Sequence, residues 1–155
     1  MCVDASLSGW AVVLVLASRQ VLIAAGRWQE QYLAADINFL EASTISLGTA
    51  ALEDAFLTSG DTELLILVDN TSVLSALRRG SARAWSVADA IRPALLRLRS
   101  WGCPIQAKCV STVCTAADAP SRGVFVVSDV ALGKRLRDVG WRASVKNHAS
   151  SLPPS

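Results

Sequence analysis

The chain has 155 residues, of which 52% are hydrophobic and 18% are charged, and its formal net charge is +2. A chain of this length is expected to form a single domain that buries about 70% of the surface of its unfolded form. The composition excludes an intrinsically disordered chain. The small net charge does not by itself indicate a nucleic-acid ligand.

The cysteines are not arranged as a metal site. They form no CxxC pair, and no histidine lies near them. We therefore expect no zinc site, and reduced thiols in an intracellular protein. The apolar run 11–17 is too short to cross a bilayer and lacks a basic segment before it, so it predicts a buried strand rather than a signal peptide or membrane anchor. The cysteines are Cys2, Cys103, Cys109 and Cys114.

The first part of the chain predicts three antiparallel strands. Val3 belongs to a short first strand, and a turn-rich piece connects it to an apolar strand over Trp10–Leu16. Ser18–Gln20 suits a hairpin connection to a third strand over Val21–Gly26.

A long helix follows these strands. Asn38 is a favoured N-cap residue, and Glu41 stands three residues later, where a capping box places an acidic side chain. Apolar and small side chains then recur at helical spacing until Ser59 and Gly60. These positions are Leu40, Thr44, Leu47, Ala51, Leu52 and Phe56.

The second half of the chain predicts alternating strands and helices. The continuous apolar run Leu64–Val68 predicts a strand buried on both faces, and Asn70–Leu77 predicts a short helix. A further helix is expected over Ser86–Trp101, either starting late or kinked, because Pro93 lies inside it. Ile105–Val110 predicts a fifth strand.

The remaining residues predict a loop over 111–115, a last helix over 129–139 and a frayed tail over 146–155. The domain is therefore expected to span residues 1–145. Antiparallel strands followed by strands that alternate with helices predict an α/β fold with a mixed sheet.

Four acidic residues stand where predicted elements begin or end. Asp4 ends the first strand and Glu41 opens the long helix, whereas Asp69 follows the buried strand and Asp118 precedes an Ala-Pro pair. A buried carboxylate is costly unless it is compensated, and converging carboxylates can be compensated by divalent cations such as Mg²⁺. This pattern is typical of a two-metal phosphodiester-cleaving site. Taken singly, each of the four is also explained as a cap or turn residue.

Five pieces of the sequence together resemble the ribonuclease H domain of retroelement reverse transcriptases, especially those of DIRS-type and related tyrosine-recombinase retrotransposons. No single piece is specific, but all four acidic motifs occur in the family's order and on the expected elements. The pieces are VDASLSGW at Val3–Trp10, GRW at Gly26–Trp28, INFLE at Ile37–Glu41, VDNTS at Val68–Ser72 and ADAPSRG at Ala117–Gly123.

The resemblance implies a ribonuclease H-like fold, with a five-stranded mixed sheet flanked by helices. It implies endonucleolytic hydrolysis of the RNA strand of an RNA–DNA hybrid during retroelement replication, with an upstream reverse transcriptase domain in a parent polyprotein. By motif position, Asp4 would bridge two Mg²⁺ ions, which Mn²⁺ can replace. Glu41 and Asp69 would hold the leaving-group metal, and Asp118 would hold the metal that carries the attacking water.

The same resemblance implies contacts to the nucleic acid. Asn38 matches a position that touches the minor groove of the hybrid, and Asn70 and Thr71 would lie beside the cleaved strand. An arginine-rich segment follows, which composition alone explains as a solvated helix face and the resemblance as a site for DNA phosphates. The predicted contacts are Ser6, Asn38, Asn70, Thr71, Arg78, Arg79 and Arg83.

The chain departs from the family pattern before the last carboxylate, where many relatives carry a histidine linked to product release. Residues 111–115 contain none, and Thr115 replaces a common asparagine. Two alternatives stay open: a non-catalytic ribonuclease H-like module that binds nucleic acid or supports a larger assembly, and another nuclease of this fold, such as a junction resolvase or integrase. Intact carboxylates favour an enzyme over the first, and Asn38 with the Ala-Asp-x-x-Ser-Arg motif disfavours the second.

Overall fold

The structure, a computed structural model, describes residues 1–111, 116–127 and 142–145. It divides into two units, residues 1–122 and 123–155. The strands of the first unit are β1 (Cys2–Ala5), β2 (Gly9–Val15), β3 (Val21–Arg27), β4 (Leu64–Val68) and β5 (Ile105–Cys109). Its helices are α1 (Ile37–Ser59), α2 (Thr71–Arg79), α3 (Trp85–Ser100) and α4 (Asp118–Ser121), with a 3-10 turn over Glu30–Tyr32.

The five strands form one mixed sheet in the order β3-β2-β1-β4-β5. β1 pairs antiparallel with β2, and β2 pairs antiparallel with β3. β1 pairs parallel with β4, and β4 pairs parallel with β5. The predicted mixed sheet is confirmed. Because β1 and β4 are parallel neighbours, their carboxyl ends lie side by side.

Helix α1 packs on one face of the sheet and forms much of the core with it. Its buried Ile45 and Phe56 lie in one apolar cluster with Val12 of β2 and Ile66 of β4. Gly48 allows the helix to approach the sheet closely, because a Cβ atom at this position would overlap the side chain of Val12. The missing side chain therefore sets the distance between α1 and β2.

The cap of α1 is Asp36, so the predicted cap at Asn38 is wrong. Asp36 has an extended backbone, and its side chain accepts a 2.8 Å hydrogen bond from the backbone N–H of Asn38. Glu41 therefore lies in the second turn of α1, outside a capping box. At α2 the cap is Asn70 rather than Asp69. Neither Glu41 nor Asp69 therefore caps a helix.

Helix α3 continues through Pro93, so the alternative of a later helix start is wrong. Proline lacks the N–H that an α-helix uses at each position. The hydroxyl of Ser46 on α1 donates to the carbonyl of Ala90 at 2.6 Å and accepts from the N–H of Ala94 at 3.3 Å. Ser46 thus bridges the two backbone groups that a helical hydrogen bond would join, and α1 supports α3 beside its proline.

The 3-10 turn and two strands of the second unit are not predicted from the sequence. These strands, β6 (Val124–Val127) and β7 (Arg142–Val145), pair parallel with each other. The predicted helix over 129–139 and tail over 146–155 lie outside the described residues, and the predicted domain limits stay a prediction. Within the ranges that the structure describes, no helix has both the length and the apolar character needed to cross a membrane.

We expect Gly48→Ala to destabilise the protein, although alanine favours a helix interior by about 1 kcal/mol relative to glycine. The added methyl group would collide with Val12, and extra volume in a packed core costs about 1–3 kcal/mol. Urea unfolding of the variant and the unmodified chain measures the difference in free energy of unfolding.

The matched control is the same substitution in a Val12→Ala background, which removes the two Cγ atoms that crowd the added methyl group but keeps the Cβ atom, 2.9 Å from it. There Gly48→Ala should destabilise the chain less than it does beside Val12, so the two substitutions should be coupled. A stabilising effect of Gly48→Ala in the unmodified chain would contradict the close approach of α1 to β2.

Candidate active site

Three carboxylates meet at the carboxyl ends of β1 and β4. Asp4 is carried by β1, Glu41 by the second turn of α1, and Asp69 by the residue directly after β4. One oxygen of each residue lies within 4.8 Å of the corresponding oxygens of the other two. Side chains that are far apart in the sequence therefore form one acidic cluster.

The alternation of side chains along β1 brings these carboxylates together from both faces of the sheet. Ala5 packs in an apolar cluster on the α1 side. Ala11, which pairs with Asp4 in β2, lies instead in a cluster with Ala117, next to α4. Asp4 therefore approaches from the α4 side and Glu41 from the α1 side, and the two meet at the strand end.

Glu41 is 3% exposed, and its two carboxylate oxygens have different surroundings. Oε1 accepts a 3.0 Å hydrogen bond from the backbone N–H of Ala5, whereas Oε2 is buried with no hydrogen-bond partner among the described residues. Burial is the main cause that raises the pKa of Glu41 to about 8; the Ala5 N–H opposes the shift, and the charges of Asp69 and Asp4 add to it. A buried oxygen without a partner is costly.

Asp4 is held from the α4 side by Ser121. The buried hydroxyl of Ser121 donates to Oδ2 of Asp4, and the carbonyl of Asp118 lies 2.8 Å away as a second acceptor. The hydroxyl of Ser6 donates to the Ser121 carbonyl at 2.9 Å, which ties the turn after β1 to α4. Burial raises the pKa of Asp4, the Ser121 hydroxyl opposes this shift, and the charges of Asp69 and Asp118 add to it.

Sequence reasoning misses the role of Ser121. This residue follows Asp4 by 117 positions, so no helical or strand periodicity connects the two. The Ala-Asp-x-x-Ser-Arg motif is the sequence signal that points to it. Gly9 allows the backbone of Ser121 to lie close to the start of β2. A Cβ atom on Gly9 would lie 2.9 Å from the Ser121 carbonyl oxygen and 2.6 Å from that of Gly26.

Asp118, the fourth predicted carboxylate, begins α4 and lies outside the group of three. Arg122 donates to its Oδ1 from Nε at 3.0 Å and from Nη2 at 2.9 Å. The charge of Asp118 nevertheless raises the pKa of Asp4. The structure thus brings three of the four predicted carboxylates together and places the fourth beside them, paired with an arginine.

Two predicted nucleic-acid contacts are joined to each other. The side-chain amide of Asn70 donates to Oδ1 of Asn38 at 3.0 Å. Oδ1 of Asn70 accepts from the backbone N–H groups of Ser72 and Val73, which fixes its orientation at the start of α2. Thr71 is exposed in the same turn. These residues form one polar surface directly after β4.

The other predicted contacts lie in different settings. Ser6 is buried, and its hydroxyl also accepts from the N–H groups of its own turn. Arg78 donates from Nε and Nη2 to the carbonyl of Ala107. Arg79 and Arg83 are exposed. Ser6 therefore has a structural role in the turn, and the three arginines remain on the surface.

The chain is similar in structure to ribonuclease H1 from the halophilic archaeon Halobacterium salinarum, whose crystal structure is known. The TM-score is 0.52 and the sequence identity is 17%, over 77% of this chain and 94% of that chain. At this identity the likeness shows the fold. No protein-family model and no curated protein matches the chain. The five-stranded sheet and its flanking helices therefore form a ribonuclease H-like fold.

The acidic cluster fits a divalent cation. Hard cations such as Mg²⁺ prefer oxygen ligands, which all three carboxylates offer. The unpartnered Oε2 of Glu41 is the observation that tests this fit, because a bound cation would supply the partner that this buried oxygen lacks. Asp4, Glu41 and Asp69 are the residues that could hold such an ion, and Asp118 offers a further carboxylate beside them.

In metal-free buffer we expect Glu41 to make the free energy of unfolding fall as the pH rises from about 4.5 to about 8. In this range the folded state keeps a proton on Glu41 that the unfolded state has released, so stability decreases with pH. Glu41→Gln removes this contribution, and its neutral amide can still accept from the Ala5 N–H. Urea unfolding at several pH values in EDTA should show a flatter slope and a more stable variant at pH 8.

The control is Glu53→Gln, also on α1. Hydrogen bonds from Trp101 and Arg97 lower the pKa of Glu53. Its contribution to stability is therefore present at neutral pH and is lost as the pH falls. Glu53→Gln should destabilise the chain at pH 8, where Glu41→Gln stabilises it. Equal pH slopes for Glu41→Gln and the unmodified chain would contradict the raised pKa.

We expect Ser121→Ala to weaken Mn²⁺ binding about 10–100-fold, the usual effect of removing a group that orients a metal ligand. Asp4 would lose the donor that fixes its Oδ2. Isothermal titration calorimetry measures the affinity, and Ser121→Thr, which keeps the hydroxyl, should recover part of it. Ser8→Ala is the matched control, because the hydroxyl of Ser8 is exposed and contacts Ser6 rather than Asp4. Unchanged Mn²⁺ affinity in a folded Ser121→Ala chain would contradict the positioning role.

Proposed function

We propose that the chain hydrolyses the RNA strand of an RNA–DNA hybrid with the help of two divalent cations. The observation that carries the proposal is the meeting of Asp4, Glu41 and Asp69 within 4.8 Å, at the end of a sheet with ribonuclease H-like strand order. The solved structure with the similar fold is itself a ribonuclease H1. The order of the acidic motifs along the sequence supports the same reaction.

Asp4, Glu41 and Asp69 would hold the cations, together with Asp118. Bound Mg²⁺ or Mn²⁺ would stabilise negative charge on the phosphoryl oxygens and make water nucleophilic at neutral pH. The protein prepares the ligands for this task. Ser121 engages one oxygen of Asp4 and the Ala5 N–H engages one oxygen of Glu41, which leaves the second oxygen of each carboxylate for a cation.

The surface around the cluster supports binding of a hybrid. The paired amides of Asn38 and Asn70 offer hydrogen-bonding groups next to the carboxylates, and such groups suit recognition of shape and of 2′-hydroxyls rather than of base sequence. Exposed Arg79 and Arg83 can neutralise phosphates. Trp85 is 77% exposed and offers a flat face on which a base can stack.

We also infer that the chain derives from a retroelement, with a reverse transcriptase domain upstream in the parent polyprotein. This part of the proposal is supported by the five sequence pieces in their order. The non-catalytic module and the junction-cleaving nuclease are the competing functions, and a single cleavage assay separates all three.

With Mg²⁺, the purified chain should cleave the RNA strand of a labelled RNA–DNA hybrid, and EDTA should stop the reaction. Asp69→Asn should abolish cleavage, because it removes a charged ligand from the cluster. Asp54→Asn is the matched control: Asp54 is exposed on α1, away from the cluster, so cleavage should continue at the normal rate. Denaturing gel electrophoresis of the labelled RNA measures the rate.

Duplex DNA, duplex RNA and a four-way junction complete the substrate panel. A folded chain that binds the hybrid without cutting it would favour the non-catalytic module over the enzyme. Preferential cleavage of the junction would favour a resolvase. If Asp69→Asn still cleaves the hybrid, the assignment of the acidic cluster as the active site is wrong.

A further inference from the structure

A basic groove lies at the carboxyl-terminal end of α2, away from the acidic cluster. It has a volume of about 650 Å³ and is formed by the last turns of α2 and α3 and by the exposed edge strand β5. We call it the β5-edge groove. The charged residues that line it are Arg78, Arg79, Arg99 and Lys108.

No acidic side chain lines the β5-edge groove among the residues that the structure describes. Of the two helices that form the groove, α2 carries no acidic residue, and Asp89 of α3 lies near Arg92. Four cations thus share one concave surface without a compensating charge in its lining, and such a surface attracts polyanions.

The edge of β5 is closed to a partner strand at the centre of the groove. Pro104 and Val110, which flank β5, form backbone hydrogen bonds with Leu64 and Val68 of β4. Because the hydrogen bonds of a strand alternate, Ala107 directs its backbone groups to the free edge. The guanidinium of Arg78 donates twice to the Ala107 carbonyl, at 3.1 and 3.0 Å. This contact blocks strand addition by a protein partner and fixes Arg78 in place.

Arg99 reaches the same groove from α3. Its Nη2 lies 3.1 Å from the position that a Cβ atom would take on Gly80, so the glycine leaves space for the guanidinium. Gly80 also has a φ of 69°, in the left-handed region that favours glycine. Arg99 is thereby seated next to the end of α2, which carries Arg78 and Arg79.

We propose that the β5-edge groove binds the sugar–phosphate backbone of nucleic acid that extends beyond the carboxylate cluster. The choice of nucleic acid as ligand rests on the proposed function. Helix α2 begins two residues after Asp69 and ends at Arg79, so the groove is about 12 Å farther along the molecule. At about 3.4 Å of helix axis per phosphate of one strand, this distance corresponds to about three to four phosphates.

A simpler role for these cations is to stabilise helix ends. Arginines in the last turns of α2 and α3 interact favourably with the helix dipole. That role does not explain Lys108, which lies on β5, nor the absence of acids from the lining. The two roles differ in their consequences, since helix-end stabilisation changes unfolding and phosphate binding changes the salt dependence of ligand binding.

The test uses the double variant Arg99→Gln/Lys108→Gln in an Asp69→Asn background, which prevents cleavage. Fluorescence anisotropy measures its affinity for an RNA–DNA hybrid long enough to cover both the cluster and the groove, at several salt concentrations. Each lost phosphate contact removes about 0.9 from the slope of log K against log salt, so the double variant should lose about 1.8. Each single variant should lose about half of this.

The matched control is Arg19→Asn, on the hairpin at the opposite edge of the sheet. Asparagine tolerates the φ of 66° at this position, and the slope should not change. An unchanged slope in the folded double variant overturns the proposal. The proposal is also overturned if the double variant binds the hybrid normally but no longer binds a polyglutamate peptide. The ligand of the groove would then be an acidic protein segment.

The result of this binding test does not depend on whether the chain hydrolyses RNA. If the unmodified chain does not cleave RNA but the groove variants still lower the salt slope, the proposed function fails and the groove assignment stands. If cleavage occurs and the slope does not depend on Arg99 and Lys108, the enzyme stands and the groove assignment fails.

Discussion

Crowding of negative charge at the carboxyl ends of β1 and β4 is the constraint on which the site depends. Asp4 and Glu41 are both 3% exposed. Burial is the main cause that raises the pKa of each, and the charge of Asp69 adds to both shifts. Two hydrogen bonds, from Ser121 and from the Ala5 N–H, offset only part of this cost. A metal-free site can reduce its charge by keeping a proton, whereas a cation allows all the carboxylates to ionise together.

This charge cluster stays together because the elements that carry it are fixed from both faces of the sheet. On one face, Gly48 allows α1 to sit directly on Val12, and Ser46 links α1 to the backbone of α3. On the other face, Ser121 connects α4 both to Asp4 and to the turn after β1. Repulsion between the carboxylates therefore acts against packed helices rather than against mobile loops, and the geometry is preorganised.

The sequence was sufficient for the features that local pattern encodes, and insufficient for those that tertiary contacts decide. The apolar run Leu64–Val68 and the hairpin pattern predicted the mixed sheet, and motif order predicted the carboxylates that converge. Asp36 and Asn38 are both good cap residues, so composition alone could not choose between them. Ser46 of α1 contacts the backbone of α3 beside Pro93, and the hydroxyl of Ser121 donates to Asp4. Both partners are distant in sequence, and local periodicity cannot reveal them.

Helix α2 joins two regions of opposite charge, with the carboxylates before its first residue and Arg78 and Arg79 in its last turn. Without cations, a polyanion near the site is attracted at one end of α2 and repelled at the other. Divalent cations on the cluster would remove the repulsion, so metal and nucleic acid should each strengthen the binding of the other by the same factor. The arginines alone cannot provide this coupling, because their charge does not depend on the metal. A hybrid affinity that is equal with and without a divalent cation would be incompatible with this arrangement of charge.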